Sequence, residues 1–331
     1  MSHHRSSCLA SIPLLLLILS FLLASFFDTA AGQIGVCYGR IGNNLPHPAD
    51  VVAFYGQRNI RHMRLYDPDQ EVLTALRGSN FELLLDVPNS DLQRIATDYL
   101  EADTWVRNNV RNYTEGVKFR YISVGNEVQP SDPAAMFVLP AMQNIERAVS
   151  DLGIKVSTTI DTRGFNGYPP SRGIFTSNFR IFIDPVLSFL VSKKSPLLVN
   201  IDTYFIYANN MRDVSLEYAL LTSKKTVVND GSNSYRNLFL ALLDTIYAAL
   251  EESRAREVEI VVSESGWPTA GGTAASVDNA RTYVNNLIQI VKTGSPKRPE
   301  RATETYLLLD FDIKLVNNCS DISGSRLDNR R

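Results

Sequence analysis

Short apolar runs alternate with longer amphipathic stretches through most of this 331-residue chain. The short runs are rich in β-branched residues and end at polar or turn-forming residues, which is typical of buried strands. The runs predicted as strands are residues 34–38, 63–66, 82–87, 121–125, 155–160, 197–201, 258–263 and 305–311. The stretches predicted as helices are residues 49–58, 70–77, 92–110, 133–152, 174–190, 235–252 and 277–291. Because strand and helix alternate through eight strands, the pattern predicts an α/β fold, the (β/α)8 TIM barrel.

A doubly wound parallel sheet is the alternative architecture. Its first strand would lead into a phosphate-binding turn, but Gly35, Gly39 and Gly42 do not have the G-x-G-x-x-G spacing of such a turn. The polar, turn-rich stretch 211–233 is predicted to form an excursion on the face where the strands end. Residues beyond 311 have no apolar periodicity, so the barrel is predicted to lack its final helix.

Two of the apolar runs lead directly into a carboxylate. Residues 258–262 run into Glu264, and residues 121–125 run through Asn126 into Glu127. In a barrel the C-terminal ends of all strands meet at one face, so both acids are expected at the same mouth. A pair of carboxylates is the minimum equipment for glycoside hydrolysis. Trp267, three residues after Glu264, is predicted to form one wall of a cleft for a sugar ring.

Other functional classes lack the residues that they need. The net charge of −2 and the absence of a long Lys/Arg run argue against nucleic acid or an anionic membrane as partner. Beyond residue 32 the histidines are His47 and His62, so neither a metal centre nor a Ser/His/Asp triad is predicted. Neither a metal nor another cofactor is therefore expected.

The first 32 residues are predicted to be a secretory signal peptide. Arg5 precedes an aliphatic run at 12–23, and small residues at 29–32 suit cleavage before Gln33. A transmembrane segment is the alternative, but the run is short for a bilayer. The predicted division is a signal peptide at 1–32, one catalytic domain at 33–312 and a divergent polar tail at 313–331. The mature chain is expected to be a secreted monomer without a membrane anchor, outside the cell or in the cell wall, with the vacuole left open.

Two cysteines remain in the predicted mature chain, which is too few for a disulfide framework. Cys37 is predicted to be a buried free thiol in the first strand, and its pairing with Cys319 is left open. Asn112 and Asn318 stand in N-x-S/T sequences that accept glycans in secreted proteins, and the sequence does not decide whether they are used.

Four segments resemble the plant endo-1,3-β-glucanases of glycoside hydrolase family 17: residues 258–272, 121–127, 34–50 and 281–299. The resemblance extends from about residue 33 to about residue 311. It implies hydrolysis of internal β-1,3 bonds in a glucan such as callose or fungal wall glucan. It also implies that Glu264 is the nucleophile of a retaining reaction, that Glu127 is the acid/base, and that Asn126 binds the sugar near the nucleophile. The alternative is structural: Glu264 would pair with an arginine or cap a loop, and Glu127 would cap a helix.

Further substrate-binding residues follow from the same resemblance. Tyr66, Tyr204, Phe205 and Trp267 are candidates for stacking on glucose rings, the alternative being that each packs in the core. Glu304 matches a family acid at the start of the eighth strand, although an acid at a strand start needs no function.

The chain departs from the family pattern at three places. Family members usually carry Tyr-Pro where this chain has Asp202-Thr203, an acid where it has Ile313, and a closing helix beyond residue 311. Two further hypotheses therefore stay open. One is a glucan-binding protein that has lost turnover, and the other is a truncated product that does not fold stably.

Overall fold

The structure is a computed structural model that describes residues 34–41 and 45–309. The predicted signal peptide and polar tail, with Asn318, Cys319 and Ile313, lie outside these residues. The strands are β1 Ile34–Cys37, β2 His62–Leu65, β3 Glu82–Val87, β4 Lys118–Asn126, β5 Lys155–Ile160, β6 Phe165–Asn166, β7 Ile174–Phe175, β8 Leu197–Asn200, β9 Val228–Asp230, β10 Asn233–Tyr235, β11 Ile260–Gly266 and β12 Thr305–Leu308. The α-helices are α1 Pro48–Gln57, α2 Gln70–Ala75, α3 Leu92–Thr97, α4 Tyr99–Asn109, α5 Ala135–Ala148, α6 Ser177–Lys193, α7 Thr203–Asn209, α8 Leu216–Ala219, α9 Leu238–Glu252 and α10 Val277–Ile290.

Eight parallel strands of the described residues close into a barrel, in the order β1, β12, β11, β8, β5, β4, β3, β2. The barrel closes at β1, where Val36 pairs with Leu307 of β12 on one side and with Met63 of β2 on the other. The predicted (β/α)8 TIM-barrel fold is therefore confirmed. The chain beyond Leu309 lies outside the described residues, so the absence of a final helix stays a prediction.

Side chains of the barrel strands alternate between two apolar layers. Cys37, Leu84 and Val261 point into the barrel, whereas their neighbours Leu85 and Val262 belong to the larger core between strands and helices. A strand that is buried on both faces reads as a continuous apolar run rather than as a strict alternation. Burial on both faces therefore explains why these strands appear in the sequence as short, continuous apolar runs.

Local capping decides where several helices begin. The predicted helix 92–110 is two helices, because Asp98 is extended with φ −136° and its carboxylate accepts the N–H of Leu100 at the start of α4. The predicted helix at 174–190 starts later, because residues 174 and 175 pair with β6 in a short hairpin. Thr176 then caps α6 by accepting the N–H of Phe179.

The excursion predicted at 211–233 follows α7 and contains α8 and the first strand of the β9–β10 hairpin. It packs against the segment that leaves β8, where the Thr203 hydroxyl donates to the Ala219 carbonyl over 3.0 Å. The excursion therefore lies on the side of the barrel where the strands end, as predicted.

The remaining sequence predictions concern single residues and membrane insertion. Cys37 is a buried free thiol, as predicted, and its Sγ donates to the Ser263 carbonyl at 3.4 Å. Asn112 is exposed. Among the described residues, no helix combines the length and the apolar character that crossing a bilayer requires.

One glycine makes room for an aromatic ring inside the barrel. A Cβ on Gly35 would lie 2.6 Å from Tyr306 Cδ1 and 2.9 Å from His62 Cβ. Gly35→Ala is therefore expected to lower the free energy of unfolding by about 1–3 kcal/mol, because the closed barrel cannot move its strands apart cheaply. Urea unfolding followed by circular dichroism measures this loss.

Gly39→Ala is the matched control: a Cβ there meets nothing within 4 Å, so a change within about 0.5 kcal/mol is expected. Equal losses in the two variants would contradict the steric argument.

Candidate active site

A completely buried arginine lies beneath the C-terminal ends of the barrel strands. Arg64 comes from the middle of β2 and has no solvent exposure. Its guanidinium makes a two-point ion pair with Asp86 of β3, at 2.7 Å between Nη2 and Oδ2 and 3.3 Å between Nε and Oδ1. Such a fork fixes the plane of the guanidinium as well as its position. Its remaining N–H groups are thereby aimed at the neighbouring strands.

Glu264, on β11, is contacted by both Arg64 and Tyr66. Arg64 Nη1 lies 3.5 Å from Glu264 Oε2, and it also donates to the Ser263 carbonyl at 3.2 Å. The Tyr66 hydroxyl donates a hydrogen bond to the same Oε2. The side chain of Glu264 retains 19% exposure. A carboxylate with a cation and a hydroxyl on one oxygen is held in one orientation.

Two asparagines connect Arg64 to the second carboxylate. Asn126, the last residue of β4, accepts at Oδ1 from Arg64 Nη2 at 2.8 Å and from Asn200 Nδ2 at 3.1 Å. Asn200, the last residue of β8, also donates from Nδ2 to Glu127 Oε1 at 2.7 Å. Asn89 fixes the backbone of Asn126 through hydrogen bonds of 2.8 and 2.9 Å. Glu127 and Glu264 are therefore brought together at one end of the barrel, as the sequence predicted.

Glu127 follows β4 directly, and its backbone has φ 55°, which is uncommon for a residue with a side chain. Its N–H donates to the Thr159 carbonyl at 2.9 Å, so the end of β5 holds this conformation. Its Oε2 lies 3.7 Å from Arg163, and the side chain is 35% exposed. The turn therefore presents the carboxyl group to the mouth of the barrel rather than to the core.

The surroundings of Glu127 favour its protonated form. Burial raises the pKa of Glu127, and the negative charges of Asp161 and Glu264 raise it further, whereas the hydrogen bond from Asn200 and the charge of Arg163 oppose this. The net pKa is above that of an ordinary glutamic acid. A raised pKa is what a carboxylic acid needs in order to donate a proton near neutral pH.

Trp267 is not a wall of the cleft, which corrects the prediction from sequence. It is 2% exposed, and its ring lies among Tyr204, Tyr207 and Tyr283 at centroid distances of 5.1, 6.0 and 5.6 Å. Its Nε1 donates to the Ala274 carbonyl at 3.0 Å. A ring enclosed on these sides has no face left for a sugar. Trp267 instead fixes the loop after β11 to α7 and α10.

The other three aromatic candidates have three different positions. Tyr204 is nearly buried against Trp267, so it packs in the core, the alternative stated above. Phe205, on α7, is 61% exposed and is the one of the three with a free ring face. Tyr66 is half-buried, with its hydroxyl on Glu264 and the Arg64 guanidinium 4.5 Å from its ring centroid. Tyr66 therefore touches the candidate nucleophile itself.

Glu304 lies at the opposite end of the barrel, so its predicted place in the substrate site is wrong. It precedes β12, and its Oε2 accepts from Arg120 at 2.9 Å and from Tyr121 at 3.0 Å. His62 Nδ1, at the start of β2, lies 3.6 Å from its Oε1. In parallel strands these N-terminal starts all face away from the C-terminal ends that carry Glu127 and Glu264. A cavity of about 1100 Å³ at this end, lined in part by Glu304 and Tyr121, is likewise separate from the paired acids.

Arg64, Asp86 and Asn200 were not predicted from the sequence. Arg64 did give a signal, since a charge between Met63 and Leu65 in an apolar strand must find a buried partner. Asn200 ends an apolar run as Glu127 does, and the same rule applied to amides would have selected it. Within residues 34–41 and 45–309, no group of three or more His, Cys, Asp or Glu side chains is arranged to hold a metal ion.

Comparison with known proteins gives one consistent family. The profile of glycosyl hydrolases family 17 matches residues 34–320, which runs past the predicted domain boundary at 312. A glucan endo-1,3-beta-glucosidase of Brassica campestris is 55% identical over 312 residues, covering 92% of this chain and 90% of that protein. A basic vacuolar isoform of glucan endo-1,3-beta-glucosidase from Nicotiana plumbaginifolia is 48% identical over 318 residues, covering 93% and 86%. A solved structure, one of two plant beta-glucan endohydrolases with distinct substrate specificities, is 39% identical with a TM-score of 0.80, covering 88% of this chain and 94% of that one.

The buried ion pair predicts a large difference between two otherwise similar substitutions. Asp86→Asn leaves the Arg64 guanidinium without its two-point counter-charge, and a loss of about 3–5 kcal/mol in the free energy of unfolding is expected. Asp91→Asn breaks the exposed Arg94–Asp91 pair, for which a loss below about 1 kcal/mol is expected. Urea unfolding of both variants beside the wild type measures the two losses. An Asp86→Asn variant as stable as Asp91→Asn would show that Arg64 does not depend on this carboxylate.

Proposed function

The chain belongs to glycosyl hydrolases family 17 and is a glycoside hydrolase, and on that premise we propose that it hydrolyses internal β-1,3-glucosidic bonds of glucans with retention of configuration. The glucan endo-1,3-beta-glucosidase relatives support the linkage and the endo mode of cleavage. Callose or a fungal wall glucan is the polymer that fits this activity. The observation that carries the mechanism is the hydrogen bond of 3.0 Å from Arg64 Nη1 to Asn200 Oδ1. Because Arg64 also contacts Glu264 and Asn200 also donates to Glu127, this bond connects the two acids across the end of the barrel.

Glu264 is the nucleophile of the first step. Its carboxylate attacks the anomeric carbon as the bond to the leaving oxygen breaks, which forms a covalent glycosyl ester. Arg64 and Tyr66 orient the carboxylate through Oε2, so the other oxygen, Oε1, is left for the attack. The rigid strand position of Glu264 keeps the reacting atoms in line.

Glu127 is the acid and then the base. In the first step it transfers its proton to the leaving glycosidic oxygen. Formation of the ester removes the negative charge of Glu264, which is one of the causes that raise the pKa of Glu127. The pKa of Glu127 therefore falls once the intermediate forms. In the second step its carboxylate takes a proton from water, which attacks the anomeric carbon and releases Glu264.

Asn126 and Phe205 are proposed to contact the sugar chain. Arg64 and Asn200 both donate to Oδ1 of the Asn126 side chain, so its Nδ2 can donate to a sugar hydroxyl near Glu264. Phe205 offers an exposed ring on α7, beyond the end of β8. A flat apolar ring of this kind stacks on the C–H face of glucose.

We propose that the chain follows the secretory route. The predicted signal peptide at 1–32 supports this, and the relative from Nicotiana plumbaginifolia is a vacuolar isoform. Cell wall and vacuole are both destinations reached by that route.

Hydrolysis of a linear β-1,3-glucan by the purified chain tests the function and its stereochemistry. Proton NMR of the first product is expected to show the β anomer, which then mutarotates. Glu264→Gln is expected to lose about a thousandfold or more in kcat, because no carboxylate remains to form the ester. Glu259→Gln is the control, an exposed acid just before the same strand, and it should retain wild-type activity. A first product with the α anomer would exclude the retaining mechanism.

Azide distinguishes the roles of the two carboxylates. With an activated aryl β-glucan oligosaccharide, Glu127→Ala still forms the ester, and azide then displaces Glu264 to give a β-glycosyl azide. In Glu264→Gly, azide takes the place of the nucleophile and gives an α-glycosyl azide instead. The anomeric configuration of each azide product is read by NMR. The same anomer from both variants would show that the roles are assigned wrongly.

A further inference from the structure

A third carboxyl group lies beside the pair. Asp202 follows the end of β8, two residues after Asn200 and four after Leu198. Leu198 fills the barrel interior and Asn200 bonds Glu127, so the period of two along an extended chain places Asp202 on the same side, nearer the mouth. The Ile201 N–H donates to the Glu264 carbonyl over 2.9 Å, which ties the backbone next to Asp202 to the strand of the nucleophile.

Asp202 has acidic neighbours and no basic partner in the described residues. No ion pair within residues 34–41 and 45–309 includes Asp202. Its side chain accepts the N–H of Tyr204, at 3.1 Å, and that of Phe205 at the start of α7. The charges that act on it are those of Glu264 on β11 and Glu127 after β4.

None of the other titratable or charged groups near Asp202 in the described residues forms an ion pair with it. Tyr283, on α10, is buried and hydrogen-bonded to Ser265, and burial raises the pKa of its hydroxyl, which therefore stays neutral. Arg64 is paired to Asp86 beneath Glu264, and Arg163 is paired to Asp161 beyond Glu127. Arg64 also lies 3.5 Å from Glu264 and Arg163 also lies 3.7 Å from Glu127, so each cation contacts one acid of the pair as well. At the mouth, the charge of Glu264 therefore acts on both Glu127 and Asp202, and the charge of Glu127 acts on Asp202.

We propose that Asp202 is a positioning residue of the cleft, whose carboxylate keeps Glu127 in its protonated, catalytically competent form as the solution becomes alkaline and so extends hydrolysis toward neutral pH. The inference rests on the proposed function, since it assigns to Glu127 the role of acid. Asp202 itself forms no bond to the sugar in this scheme and transfers no proton to it.

The physical basis is the repulsion between like charges. Burial, the charge of Glu264 and the charge of Glu127 together raise the pKa of Asp202 to about 7, and the pKa of Glu127 is also raised. Neighbouring acids of this kind lose their protons as a coupled set. At any pH, a neighbour that is able to ionise makes Glu127 more protonated than a permanently neutral neighbour would. The effect grows as Asp202 begins to ionise, which is at and above neutral pH.

The substitution Asp202→Asn removes the charge of this side chain without removing its ability to cap α7. Asp202 caps α7, and an asparagine caps a helix start about as well as an aspartate. Asp202→Asn therefore keeps the size, the cap and the fold while it removes the ionisable group. Asp98→Asn is the matched control, because Asp98 caps α4 in the same way and has no contact with the paired acids.

The alkaline midpoint of kcat/KM, measured on a soluble β-1,3-glucan from pH 4 to 9, tests the proposal. Asp202→Asn is expected to lower this midpoint by roughly half to one pH unit relative to the wild type. Asp98→Asn should leave it in place, and Asp202→Glu, which restores a carboxyl group, should recover at least part of the shift. A midpoint that is unchanged or higher in Asp202→Asn would overturn the proposal.

Carbon-13 NMR of labelled carboxyl groups in the full chain separates this proposal from the proposed function. The titration midpoint of Glu127 is expected to fall in Asp202→Asn, and that of Asp202 to fall in Glu264→Gln, whether or not glucan is cleaved. If the wild type releases no sugar at any pH, the proposed function fails while these midpoints still decide the coupling. Asp202 titrating near pH 4, with no response to Glu264→Gln, would overturn the proposal even if Asp202→Asn did not fold.

Discussion

A guanidinium that is completely removed from water must be surrounded by acceptors, and this constraint organises the end of the barrel. Arg64 meets it with a carboxylate from β3, amide oxygens from β4 and β8, and a carbonyl and a carboxylate from β11. Burial of an ion is favourable only when the remaining hydrogen-bonding groups are also satisfied. The neighbouring strands must therefore hold one register around Arg64, and that register also positions Glu127 and Glu264.

The two ends of the barrel have different electrostatic roles. At the end where the strands finish, the charge of Glu264 helps to raise the pKa of Glu127 and of Asp202, which suits proton transfer. At the other end Glu304 is matched by Arg120 and by tyrosine hydroxyls, so its charge is neutralised within the fold. Parallel strands separate these ends by the height of the barrel. An acid at a strand start and an acid at a strand end are consequently not equivalent, although both look alike in a sequence.

Part of the fold and of the candidate site could be predicted from the sequence, and the predictions that failed did so for physical reasons. The strand runs and the two acids that follow them were predicted because burial on both faces and polarity at strand ends leave a local pattern. The break at Asp98 was missed because a cap inside an amphipathic stretch competes with the apolar period. The position of Trp267 was wrong because aromatic side chains serve core and binding site alike, and only its neighbours Tyr204, Tyr207 and Tyr283 decide which. Glu304 was placed in the site by resemblance, without regard to which end of the strand it occupies.

The sequence by itself determined the order of strands and helices, and with it the closure of a parallel barrel and the placement of Glu127 and Glu264 at one mouth. These follow from chain-local rules, since hydrophobic periodicity and strand direction do not depend on distant partners. Only the tertiary structure decided which polar groups meet. Arg64 and Glu264 are 200 residues apart in the chain, and Asn200 and Glu127 are 73 apart. Such contacts depend on the register between neighbouring strands, which no local segment of sequence specifies.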